Sequence, residues 1–311
     1  MSSTLGHGPA APATPASPAS PAPLQASSYL DFDRSPRMSG PRLPPGACDC
    51  HFHVFEDPRL HPLAEHRGYT PTLATIGDYR HMANALGLQR GILVHPSVYG
   101  RDHSSFEAVL AGNREWLRGV AVVYADTDDA AIARWHRLGC RGTRVNAMFA
   151  GGAGLEDLQS VADRVRPLGW HLQLLIDLSA DPDRLGRLAD LGLPLVVDHF
   201  GHLPAAGALA HPGFRNLLAL VRERRAWVKL SAPYRISPQR KGFSDVRPLA
   251  DALVAASPEQ LLWGSDWPHP VIASRMVNDG DLAQMLNDWF DEPLRRKILV
   301  DNPTRLYWAD V

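Results

Sequence analysis

From Cys48 onward, short β-rich apolar runs alternate with longer stretches whose apolar residues recur at helical spacing. This is the pattern of repeated βα units around a parallel sheet. The apolar runs are "ACDCHFHVF" (47–55), "RGILVHPSV" (90–98), "LRGVAVVYA" (117–125), "CRGTRVNA" (140–147), "HLQLLID" (171–177), "PLVVDHFG" (194–201), "AWVKLSAP" (226–233) and "LLWGSDWP" (261–268). Stretches such as "DDAAIARWHRLG" and "LEDLQSVADRVRPLG" lie between them and end in glycine, a helix stop signal. No glycine-rich nucleotide turn follows the first run, so eight runs predict a (β/α)8 TIM barrel rather than an open sheet.

Period two along the first run places His51 and His53 on one face with Asp49, and Cys48, Cys50, Phe52 and Val54 on the other. The histidines are expected to point into the barrel and the cysteines to lie beneath the helices as small apolar residues. In a barrel of this kind function gathers at the C-terminal ends of the strands, and the unusual polar residues fall there. The first run ends in His51 and His53, the second in Ser97, the fourth in Arg144 and Asn146, the sixth in Asp198 and His199, and the eighth in Asp266. Arg235 follows the seventh.

The first 45 residues break the pattern. They hold ten prolines, and "MSSTLGHGPAAPATPASPASPAPLQASS" is Ala, Pro and Ser with little to bury, so residues 1–28 are expected to be disordered and without catalytic duty. The division expected is a Pro/Ala/Ser-rich tail over 1–45 and one catalytic barrel over 46–311. Lys and Arg number 32 against 33 Asp and Glu, a net charge of −1. That offers no long-range field for nucleic acid or an anionic membrane and leaves a small molecule as the expected partner. Three cysteines without a CxxC pair suit neither a disulfide framework nor a zinc knuckle. With no signal peptide and no apolar run of membrane-spanning length, a soluble cytoplasmic protein is expected. Oligomeric state stays open, a homo-oligomer included.

The segments "CDCHFHVF", "RGYTP", "LVHPSVYGRD", "RGTRVN", "VVDHFGH", "KLSAPYR" and "GSDWPHP" occur in this order over about residues 47–308. Together they resemble the signatures of the amidohydrolase superfamily, in its branch of 2-pyrone-4,6-dicarboxylate lactonases. The resemblance implies a hydrolase that opens a carboxylated lactone in the catabolism of aromatic or sugar acids. It implies that His51, His53 and His199 line the carbonyl end of the site and that Asp266 activates the hydrolytic water. It further implies that Tyr69, Ser97, Arg144 and Arg235 hold the substrate's carboxylates. The branch has a further arginine after the strand-four arginine and a tyrosine on strand five. Here those regions read "NAMFAGGAG" and "HLQLLID", so a lactone with one carboxylate is expected over the symmetrical dicarboxylate unless Arg101 or Lys241 supplies the missing cation.

For this chemistry Asp266 must reach the water, and a semi-buried site is expected to raise its pKa. The histidines are to polarise the carbonyl by direct donation or through a metal. The cofactor is thus none, or one divalent ion with zinc first among candidates, held by His51, His53 and Asp266. His95 is the reserve ligand; His171 stands at the wrong end of its strand. No GxSxG turn occurs, so Ser97 is read as a donor rather than a nucleophile. Tyr69 falls in a first βα segment, residues 56–75, long enough to cover the site. The alternative within the superfamily is a metal-dependent decarboxylase, which relies on a strand-five histidine.

Overall fold

All eight apolar runs become strands in the computed structural model, which describes residues 29–148 and 152–309. Among these residues the strands are β1 (Cys48–Phe52), β2 (Arg90–Val94), β3 (Leu117–Ala121), β4 (Cys140–Asn146), β5 (His171–Leu175), β6 (Leu195–Val197), β7 (Ala226–Ser231) and β8 (Leu261–Gly264). They pair in parallel in chain order. The ladder nearly closes into a TIM barrel through the segment after β8, where Asp266 N–H donates to His51 O and His53 N–H to Trp267 O, both at 2.8 Å. Gly264 permits that approach, since a Cβ there would sit 2.6 Å from the Cβ of His51.

Most strands stop short of the apolar run that predicted them, because the polar residues at the run's end leave the ladder. Ser97 opens a 3-10 turn, Ser97–Tyr99, after β2, and His199 opens another, His199–His202, after β6. His53, Ser97, His199 and Asp266 therefore stand just past the ends of short, mostly buried strands, while His51 and Arg144 stay within β1 and β4.

The period-two reading of β1 fails at one point. Asp49 pairs with Gly91 and Phe52 with Leu93, so three steps on β1 oppose two on β2, the mark of a β-bulge. Below the bulge the parity is reversed. Cys48 and Cys50 point into the barrel, where they pack with Ile92, Val94, Val120 and Leu262, while Asp49 points outward to Tyr79 and Ser265. Above it His51 and His53 face inward as expected, and Phe52 faces the helices, its ring stacked at 3.5 Å on that of Tyr79.

Among the described residues a helix follows each strand in turn: α1 (Ile76–Leu86), α2 (Ser104–Ala111), α3 (Asp129–Arg137), α4 (Leu158–Val165), α5 (Arg184–Ala189), α6 (Pro212–Arg222), α7 (Arg247–Ala256) and α8 (Asp279–Trp289). The first shows why such segments are helical. Thr75 and Asp78 cap each other's backbone N–H groups, Tyr79, Met82, Ala83 and Leu86 fall on one buried face, and Gly87 ends the helix in the left-handed conformation. No helix among the described residues is long and apolar enough to cross a membrane.

Residues 29–45, assigned to the tail by their composition, pack against the barrel. Phe32 is buried, its ring 4.8 Å from that of Trp267. Asn278, the N-cap of α8, donates to Asp33 and Ser35 and accepts from Arg37 N–H. Dispersed side-chain contacts of this kind have no periodicity for a sequence pattern to reveal. Residues 1–28 lie outside the described residues.

Candidate active site

A network of buried polar groups fills the upper barrel. Lys229 of β7, which has no exposed surface, lies 3.2 Å from Asp198 Oδ1 after β6 and donates to Gln173 Oε1 of β5 at 2.7 Å. Gln173 Nε2 donates to Asp198 Oδ2 at 3.0 Å, and Arg144 Nε of β4 approaches that oxygen at 3.4 Å. Burial alone would raise the pKa of Asp198, but Lys229, His51 and Arg144 outweigh it and hold the carboxyl well below the usual range.

This network orients His51, whose Nδ1 is 3.2 Å from both Asp198 Oδ1 and Lys229 Nζ. His53 Nδ1 donates to Val94 O at 2.7 Å, which leaves its Nε2 lone pair facing the pocket. Burial lowers the pKa of both rings. His51 Nε2 stands 3.3 Å from His53 Nε2, and two arrangements account for that contact. When Lys229 donates to His51 Nδ1, Nε2 carries the proton and donates to His53. When Nδ1–H donates to Asp198, lone pairs face each other with a carboxylate oxygen beside them, and a cation would satisfy all three.

Asp266 is the group these rings face, and its two oxygens have different partners. Oδ2 accepts from Arg235 Nε and Nη2 at 2.9 and 2.7 Å and from the Tyr234 hydroxyl at 2.6 Å. Oδ1 is turned to His51 Nε2 at 3.6 Å and His199 Nε2 at 3.7 Å. The backbone at Asp266 has φ +64, a left-handed conformation that aspartate tolerates better than most residues. Tyr234 is steadied in turn by His269, 3.1 Å away, whose other nitrogen is 3.1 Å from Asp279 Oδ1. The expected raised pKa of Asp266 is corrected. Burial pushes it up, but Arg235 and the three histidines hold the carboxyl well below its ordinary value.

Above this floor lies a pocket of about 380 Å³. Seven of the eight residues named from the sequence line it: His53, Tyr69, Ser97, Arg144, His199, Arg235 and Asp266. His51 sits beneath it. Asn146, Leu175, His202, Pro270 and Val271 complete the wall. His95 stands elsewhere, its ring stacked at 3.9 Å on His103 and its Nε2 donating to Gly100 O. His171 lies at the start of β5, under Gly142 and edge-on to Tyr307. The sequence reading passed over Lys229, Gln173, Tyr234 and His202. A lysine and a glutamine at inward positions of apolar strands were a usable signal for the first two.

The donor set fits one divalent cation. The 3.3 Å between the Nε2 atoms of His51 and His53 is about the ligand spacing of a tetrahedral zinc site. The outer nitrogens are held by Asp198 and by Val94 O, as metal-binding histidines require. His51, His53 and Asp266 would hold the ion.

A family model described as Amidohydrolase matches residues 48–308. The chain belongs to the amidohydrolase family. It is 35% identical over 290 residues to a 4-sulfomuconolactone hydrolase of Hydrogenophaga intermedia, covering 88% of this chain and 95% of the relative. It is 31% identical over 294 residues to a 2-pyrone-4,6-dicarbaxylate hydrolase of Comamonas testosteroni, covering 91% and 96%. A solved structure of a candidate 2-pyrone-4,6-dicarboxylic acid hydrolase from Pseudomonas putida superposes with a TM-score of 0.76 at 33% identity, over 86% of this chain and all of that one.

Proposed function

We propose that this chain opens a carboxylated lactone by adding water to its ring carbonyl, in the catabolism of aromatic or sugar acids. The observation that carries the reading is the division of Asp266. One oxygen is anchored by Arg235 and Tyr234, and the other faces two imidazole nitrogens at the floor of a pocket lined by arginines. Its relatives named as lactone hydrolases support the same reaction.

Arg144, with Ser97 and Tyr69 beside it, grips the substrate carboxylate and sets the carbonyl above Asp266. Asp266 Oδ1 takes a proton from water as the oxygen adds to the carbonyl carbon. The oxyanion that forms is met by N–H groups of His51 and His199. Lys229 donates to His51 Nδ1, and the Ser231 hydroxyl, 2.8 Å from His199 Nδ1, donates there; both leave the proton on Nε2. The ring C–O bond then breaks, and Asp266 returns its proton to the departing ring oxygen. A divalent ion bound by His51, His53 and Asp266 would supply Lewis-acid polarisation of the carbonyl.

A carboxylate held far below its normal pKa is a weak base, and Arg235 is its nearest cation. When the substrate's carboxylate draws Arg235 toward itself, Asp266 loses that partner and gains basicity as the substrate docks. Three cations, Arg144, Lys229 and Arg235, face two carboxylates, Asp198 and Asp266, at the floor. That leaves one positive charge, the complement of one carboxylate.

Acid release on a panel of carboxylated lactones tests the reading, with Asp266→Asn as control. Ring opening creates an ionised acid, so its equilibrium must favour hydrolysis as pH rises. The variant is expected to lose about 10³-fold in kcat with KM within a few-fold, because the amide cannot take the water's proton. Wild-type turnover in the variant would remove Asp266 as the base. Carbon dioxide release in place of acid would favour decarboxylation, a reading disfavoured by β5, which presents Gln173 at the network and keeps His171 below it.

A further inference from the structure

Outside the catalytic pocket lies a second, wider chamber of about 1400 Å³ open to solvent. The two share His202, Arg235 and Val271 as wall residues, so they lie side by side. Among the described residues no carboxylate lines the outer chamber, but Arg240 and Arg275 do. Both are exposed and neither has an ion pair or hydrogen bond among the described residues. The cations the sequence suggested as replacements are engaged elsewhere. Arg101 pairs with Asp126 at 2.6 Å and Lys241 with Asp281 at 2.9 Å.

His202 stands at the junction. Its ring is mostly buried, its centroid 5.3 Å from that of His199, and its Nε2 has no hydrogen-bond partner among the described residues. Burial and the nearby Arg235 push its pKa down to about 4, so at neutral pH it is uncharged, with one N–H to donate. A buried polar atom left without a partner is destabilising, and a ligand spanning the two chambers would supply the missing partner.

We propose that the outer chamber is a second anion subsite. It takes a carboxylate or sulfonate carried on a side arm of the lactone, with Arg240 and Arg275 meeting the charge and His202 contacting the arm where it leaves the inner pocket. This inference rests on the lactone reading and refines it. The ring and one carboxylate fill the inner pocket, whose single excess positive charge is then neutralised, and a second anionic group must sit outside. A compact ring with both carboxylates attached directly leaves one of them short of these arginines; a lactone with an anionic arm does not.

The test compares two lactones with the same ring and ring carboxylate, one with a side arm ending in a carboxylate and the other in its methyl ester. The wild-type chain is expected to favour the anionic arm by about tenfold in kcat/KM at low ionic strength, mainly through KM, with the preference shrinking as salt rises. Arg240→Gln with Arg275→Gln should lower kcat/KM for the anionic arm about tenfold more than for the ester. A sulfonate arm should follow the carboxylate. Equal use of the pair by wild type, or an undiminished preference in the double variant, would overturn the subsite and leave the lactonase reading standing. If wild type opens neither compound, the lactonase reading fails. Calorimetric affinities of the same two compounds for wild type and double variant then judge the subsite by the same ratio.

Discussion

At the strand starts the barrel interior is closed by Cys48, Ile92, Val120, Val196, Trp227 and Leu262, all uncharged and nearly devoid of exposed surface. At the strand ends the same barrel encloses Lys229, Asp198, Arg144 and Asp266, equally buried. The lower residues are stabilising, at about 1.5–3 kcal/mol for each large apolar side chain removed from water. The upper ones are not stabilising by default, because desolvating each charge costs several kcal/mol that pairing at best returns. A fold under pressure for stability alone would fill the upper half like the lower. The difference marks what the upper half is for: it orients histidines and keeps a carboxylate ionised at the floor of the pocket.

The largest expected effect comes from removing the charge that organises the upper end. Lys229→Met strands Asp198 and is expected to cost about 3–5 kcal/mol in unfolding free energy. Adding Asp198→Asn should recover most of that loss, since no unpaired carboxylate remains. Turnover should stay at least 100-fold down in both variants, because His51 has lost the donor that places its proton on Nε2. Denaturant unfolding and steady-state kinetics on the same samples give both readouts. Recovery of turnover together with stability would show that the network only fills space.

Protonation gives a second, smaller way to separate the ends. His202 at the upper end and His171 at the lower have folded pKa values pushed by burial to about 4 and about 3. Because these values lie below that of the unfolded chain, the unfolded state binds more protons as pH falls. The stability tied to their neutral forms is complete above about pH 6.5 and declines below it, by about 2 kcal/mol each by pH 5. Asp198 and Asp266 are also depressed, so their contribution is complete above about pH 4 and is lost only in stronger acid. Urea unfolding at pH 7 and 5 should therefore show the loss in the histidine window first. In catalysis, the acid limb of kcat/KM, which reports the free enzyme, should lie below that of kcat, which reports the complex in which Arg235 has turned to the substrate. Coincident limbs would mean that Arg235 stays on Asp266 throughout.

The contrast between the ends also explains what could be read from the chain. The eight strands were legible because each is a short apolar run between helical stretches, a local property. The positions of His53, Ser97, Arg144, His199 and Asp266 around one pocket followed from knowing that strand ends share a rim. The bulge in β1 was not legible: nothing in "CDCHF" shows that three residues will oppose two, and the inward turn of Cys48 and Cys50 depends on it. The depressed pKa of Asp266 was equally hidden, because Arg235, which lowers it most, comes from the turn after β7 and meets Asp266 only once β7 and β8 lie side by side. Lys229, a lysine at an inward position of an apolar strand, signalled a buried partner, but which partners it has follows only from the placement of Asp198, Gln173 and His51 around it.

The smallest expected effect completes the comparison from below. Ile92 has no exposed surface and lies in the apolar cluster with Cys48, Cys50, Val94 and Val120, on the strand whose last residue, Val94, accepts from His53 Nδ1. Ile92→Val removes one methylene from a close-packed interior and is expected to cost about 0.5–1.5 kcal/mol of unfolding free energy. No charge, hydrogen bond or backbone conformation changes with it, so kcat and KM should stay within about twofold of wild type. Thermal unfolding and kinetics measured side by side check both halves of this expectation. A tenfold fall in kcat with so small a loss of stability would mean that packing at the lower end sets the position of His53 through β2, and the two ends would then have to be treated as one mechanical unit.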